Sequence, residues 1–107
     1  MAVNLLGQNT TQVATLATVA GKYLVTIYHA CTLAGSGGLL TTTLAWTDDV
    51  GATSAKIASD ILLSELSRDA GALVVYLASG TITVTATPIG ATGNPQYALR
   101  ARAVALS

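Results

Sequence analysis

The chain has 107 residues, a length that suits one domain able to bury roughly 65% of its unfolded surface without a metal or a disulfide. Five basic and five acidic residues make up 9% of it and cancel to zero formal net charge, where an average soluble protein carries about 25% charged residues. Five dispersed cations exclude a phosphate-neutralising stripe, so nucleic acid is not an expected partner; the single Cys31 excludes an internal disulfide.

Residues 1–21 carry no charge, yet they lack the basic segment and compact apolar run of a secretion signal. Residues 1–8 show no alternation and contain Val3, Leu5 and Leu6, so they are expected to form an N-terminal arm that orders on a partner, with 9–107 as the folded domain. An opening strand is expected over 12–19. After Gly21, the residues Tyr23, Val25, Ile27, His29 and Cys31 alternate with Lys22, Leu24, Thr26, Tyr28 and Ala30, the period of a half-buried strand with the first set facing the core.

Gly35-Ser36-Gly37-Gly38 reads as a turn, and Leu40, Thr42, Leu44 and Trp46 then share a face opposite Thr41, Thr43, Ala45 and Thr47. Asp48-Asp49-Val50-Gly51 suits a turn that ends this strand. Residues 52–67 form no clean apolar helical stripe and are read as irregular strand and loop. Leu73, Val75 and Leu77, then Ser79-Gly80, then Ile82, Val84 and Ala86 predict a hairpin closed by Pro88. A loop over 90–95 leads to a last strand in which Tyr97, Leu99, Ala101, Ala103 and Ala105 alternate with Ala98, Arg100, Arg102, Val104 and Leu106.

Seven to eight short antiparallel strands and sixteen threonines predict an all-β single-domain β-sandwich or jelly roll. The uncharged runs 23–47 and 70–99 are rich in Thr and Gly, and the second contains Pro88 and Pro95. Neither is expected to cross a membrane as a helix, so no membrane partner is expected.

Residues 21–28 (Gly-Lys-Tyr-Leu-Val-Thr-Ile-Tyr), 40–49 (Leu-Thr-Thr-Thr-Leu-Ala-Trp-Thr-Asp-Asp), 80–84 (Gly-Thr-Ile-Thr-Val) and 97–103 (Tyr-Ala-Leu-Arg-Ala-Arg-Ala) resemble small β-sandwich virion proteins of tailed bacteriophages. The resemblance spans most of 10–106 and implies a structural role on a phage particle: a capsid decoration (cement) protein, or a head- or tail-fibre domain that binds a receptor or carbohydrate. A fibre domain would carry a long shaft, whereas this chain starts with Met1 and stops on its last strand, which favours decoration. That reading implies a homo-oligomer, a trimer, made in the host cytoplasm and placed on the capsid surface against the major capsid protein.

The side chains that could carry chemistry have simpler structural readings. His29 and Cys31 lie two apart on one face but lack a third metal ligand, and as base and nucleophile they lack an orienting group. Both are expected in the core. Asp48 and Asp49 could meet calcium but lack a dedicated spacing, so a plain turn is expected. The 35–38 glycine run lacks the Lys-Ser/Thr of a phosphate loop. Asn9-Thr10-Thr11 has the letters of a glycosylation acceptor without a secretion signal to make use of it. Trp46 is expected in the core, with a sugar-stacking platform as its other reading. Arg100 and Arg102 are either a solvated pair or a clamp to a partner's carboxylates. No enzyme activity, metal or cofactor is expected; Val3, Leu5, Leu6, Arg100 and Arg102 are the interface candidates.

Overall fold

The computed structural model describes residues 2–7 and 10–106, the first segment through its backbone and Asn4. Nine strands occur among them: β1 (Ala2–Gly7), β2 (Gln12–Ala17), β3 (Gly21–Leu33), β4 (Gly37–Thr47), β5 (Ala52–Ala55), β6 (Ile61–Leu62), β7 (Arg68–Leu77), β8 (Ser79–Thr92) and β9 (Gln96–Leu106). One sheet has the order β1-β9-β3-β7; the other has β2-β8-β4-β5, with β6 also paired to β4. Every pairing is antiparallel.

Alternation decides the packing. Val25, Ile27, His29 and Cys31 of β3 are buried, as are Leu40, Thr42 and Leu44 of β4, Ile82, Val84 and Ala86 of β8, and Tyr97, Leu99, Ala101 and Ala103 of β9. These inward sets meet in one core between the sheets, joined by Leu16, Val75 and Leu77. At roughly 1.5–3 kcal/mol for each large apolar side chain fully buried, this layer is the main source of stability.

The expected hairpin over 73–86 is not formed. β7 pairs with β3 in one sheet, and β8 pairs with β2 and β4 in the other. The chain crosses between sheets at Ala78, whose N–H donates to the Thr47 carbonyl at 2.8 Å. The reason is burial: Leu73, Val75 and Leu77 and the set Ile82, Val84 and Ala86 pack on the same core from opposite sheets. Period 2 is identical for strands side by side and strands face to face.

Pro88 does not close β8, which runs on to Thr92. At Pro88 the pairing with β2 has ended at Ala86 and only β4 flanks the strand, and such one-sided positions tolerate a residue without an N–H. The loop expected over 90–95 shrinks to 93–95, with Gly93 and Asn94 at positive φ. Residues 52–67 are irregular, as expected, holding only the short β5 and β6.

The segment expected as an arm is, over residues 2–7, a strand paired along β9 from Ala2↔Arg102 to Gly7↔Tyr97. The adjacent Leu5 and Leu6 break the alternation that would have marked it. Val3, Leu5 and Leu6 take ladder positions opposite Ala101, Leu99 and Ala98; their side chains, and Asn9, lie outside the described residues.

Candidate functional site: the outer face of the four-stranded sheet

The register of the first sheet places Asn4, Arg100, Tyr28 and Ala70 in one outward row, and Arg102, Thr26 and Ala72 in the next. Further rows hold Val104, Leu24 and Val74, then Leu106, Lys22 and Tyr76, while Arg68 stands outward opposite Ala30 at the other end. Short side chains at Thr26, Ala70 and Ala72 between the longer Tyr28, Arg100 and Arg102 leave a shallow groove of about 580 Å³. Tyr76 is 59% exposed, and Val74, Val104 and Leu106 are also exposed beside it.

Charge on this face has one sign. Lys22, Arg68, Arg100 and Arg102, four of the five cations, stand on it, so the cations that are dispersed along the sequence are gathered by strand pairing onto one face, against the expectation of no basic stripe. The fifth, Lys56, pairs with Asp60 at 3.3 Å in the irregular segment, the only ion pair among the described residues. Lys22 Nζ lies 6.0 Å from the centre of the Tyr76 ring, at the outer limit of a cation–π contact. The acids lie elsewhere: Asp48 and Asp49 in the β4–β5 turn, Asp60 and Glu65 between β5 and β7, and Asp69 in β7 on the side of His29. The outer face of the other sheet carries no charge among the described residues; there Thr41, Thr43, Thr83, Thr85 and Thr87 form cross-strand neighbours.

His29 and Cys31 are in the core, as their spacing suggests. His29 Nε2 lies 2.7 Å from the Ser59 carbonyl oxygen and Nδ1 lies 2.8 Å from Thr42 Oγ1. A carbonyl only accepts, so Nε2 carries the proton and Nδ1 accepts from the Thr42 hydroxyl. Burial pushes the His29 pKa down, opposed by the Ser59 carbonyl and by Asp69 and Asp60. Asp69 in turn accepts from the Ser59 N–H at 2.6 Å, and backbone N–H groups of Ser59 and Ala70 hold its carboxyl below the usual range. The buried Cys31 thiol, pushed up by desolvation, donates to the Leu33 carbonyl at 3.3 Å. A raised thiol in an apolar setting is a poor nucleophile.

No group of three or more His, Cys, Asp or Glu among the described residues could hold a metal. Asp48 instead fixes its own turn, Oδ1 accepting from the N–H groups of Val50 at 2.9 Å and Gly51 at 3.2 Å. Trp46 is half-buried: it packs against the core and also lines a shallow groove of about 350 Å³ with Ala45, Thr47, Thr53 and Thr83. Arg100 and Arg102 are exposed and neighbour the same groove. Alternation had placed them together; the cross-strand register that joins them to Tyr28, Lys22 and Arg68 could not be read from one strand.

Comparison with solved structures decides the architecture. The fold is a β-sandwich. The CBM22-1 xylan-binding domain from Paenibacillus barcinonensis Xyn10C superposes with a TM-score of 0.53 at 11% identity, over 99% of this chain and 74% of that one. The Bacillus endospore appendages that form disulfide-linked pili give a TM-score of 0.47 at 15% identity, over 100% and 85%. No protein-family model and no curated protein sequence matches the chain.

Proposed function

We propose that this β-sandwich is a non-enzymatic structural protein of a virion, a capsid decoration module that oligomerises and lies against the major capsid protein. The observation that carries an assembly role is the outer face of β1-β9-β3-β7, where Arg100 and Arg102 line a groove, Lys22 and Arg68 stand on the same face, and none of the four has an ionic partner among the described residues, beside exposed Val74, Tyr76, Val104 and Leu106. A face that is both apolar and of one charge sign gains from being covered by a surface of the opposite sign. The phage setting comes from the sequence resemblance alone. Mixing the purified protein with capsids assembled from the major capsid protein of the same genome tests it: co-sedimentation at a fixed ratio per capsomer is expected, and free protein in the supernatant at micromolar concentration rejects the decoration role.

A glycan-binding module of a fibre is the second reading. Tyr28 and Tyr76 stand on the same outer face as the groove, and the Paenibacillus domain of similar architecture binds xylan. Affinity electrophoresis in gels containing xylan or host surface polysaccharide separates the two: retardation lost in Tyr28→Ala or Tyr76→Ala supports the glycan role, and unchanged mobility rejects it.

A further inference from the structure

The 48–51 turn presents a carboxylate beside an exposed apolar side chain. Asp48 holds it through two backbone hydrogen bonds, Asp48 N–H donates across it to the Gly51 carbonyl at 3.1 Å, and Val50 at its tip is 98% exposed. Asp49 is exposed beside Val50 and takes no part in the bonds that hold the turn. The tip is therefore a preorganised knob, one apolar side chain next to one carboxylate.

The groove has a small-residue floor at Thr26, Ala70 and Ala72 and two guanidinium groups at its wall, Arg100 and Arg102. Its missing parts are an apolar group and a carboxylate. The tip belongs to the five-stranded sheet and the groove to the other, and a chain of zero net charge that separates its charges this way matches a second copy of itself.

Resting on the reading of the chain as a self-associating module, we infer that the 48–51 tip of one copy seats in the groove of the next, with Asp49 between Arg100 and Arg102 and Val50 on the floor. The contact is heterologous: each copy offers a tip and a groove, and the assembly closes into a ring or grows as a filament according to the rotation it imposes.

Sedimentation velocity on the full chain tests this with Asp49→Lys, the double variant Arg100→Glu/Arg102→Glu, and their equimolar mixture. Wild type is expected to sediment as an oligomer, and each variant alone to dissociate with affinity weakened about tenfold or more. The mixture is expected to reassemble. It contains the wild-type pairing of Asp49 with Arg100 and Arg102, and also the reversed pairing, in which the lysine of the first variant meets the two glutamates of the second. Misfolded variants could not do so. An oligomeric wild type with unaffected variants overturns this contact while leaving self-association standing. A monomeric wild type, or a mixture that stays dissociated, also overturns it, and capsid co-sedimentation then reports separately on the decoration role.

Discussion

His29 Nδ1 lies 2.8 Å from Thr42 Oγ1, so a hydrogen bond ties β3 of one sheet to β4 of the other across the core. The same ring reaches the Ser59 carbonyl with its other nitrogen and so fastens the irregular β5–β7 connection to the core.

Replacing His29 removes both bonds and leaves a void. His29→Ala is expected to cost roughly 2–4 kcal/mol, combining unpaired buried polar groups with a cavity. Thr42→Val keeps the shape and loses one bond, at about 1–3 kcal/mol. Urea unfolding with unchanged slope checks both values.

Stability should fall on acidification. Burial lowers the folded pKa of His29 below its unfolded value, so between the two the unfolded chain binds the extra proton. The contribution is fully present above about pH 6.5, the unfolded value, and is lost as pH falls through the folded pKa. Asp69, lowered by the backbone N–H groups of Ser59 and Ala70, adds a loss of the same sign in the carboxylate range. Melting temperature against pH should show the upper step in wild type and lack it in His29→Gln.

Two glycines should respond differently to alanine. A Cβ at Gly71 falls on the Ile57 carbonyl oxygen, so the backbone itself must move; a cost of roughly 3 kcal/mol or more is expected, at the upper end of overpacking. Gly80 sits at φ +73° with open space around it, and Gly80→Ala should cost only about 1–2 kcal/mol for the left-handed backbone. Thermal unfolding of the two variants ranks them.

The Tyr97 hydroxyl donates to the Thr10 carbonyl at 2.8 Å, fixing the start of the domain onto β9. Tyr97→Phe should lose about 0.5–1.5 kcal/mol and speed hydrogen exchange in β2. Arg100→Ala with Arg102→Ala, by contrast, should leave stability within about 0.5 kcal/mol, since both side chains are exposed. An unfolding midpoint clearly below wild type would show that the arginines support the fold.

Much of this architecture was readable from alternation. Val25, Ile27, His29 and Cys31 were placed inward, as were Leu40, Thr42 and Leu44, because a strand with one wet face writes its burial in period 2. What alternation does not encode is the partner of each strand. Ser79-Gly80 looks like a hairpin turn, yet both residues already belong to β8 and the chain has stepped between sheets at Ala78, and β1 is invisible because Leu5 and Leu6 adjoin. The candidate site was half legible for the same reason: Arg100 and Arg102 share a face by spacing alone, but Lys22 and Arg68 join them through pairings with β3 and β7. The Ser59 carbonyl that accepts the hydrogen bond from His29 Nε2–H comes from a segment without any periodic signal.

The position of β9 governs how the sheet can be built on the ribosome. Asn4 pairs with Arg100, and Tyr28 pairs with the same arginine from the other side, so β1 and β3 emerge early and have no bridge between them until β9 follows. During synthesis both strands present open edges, the state most exposed to pairing with neighbouring nascent chains. Contacts spanning this much sequence also close slowly. Folding of the four-stranded sheet is thus a late event, and the cationic face, with two of its arginines on β9, exists only once that event is complete.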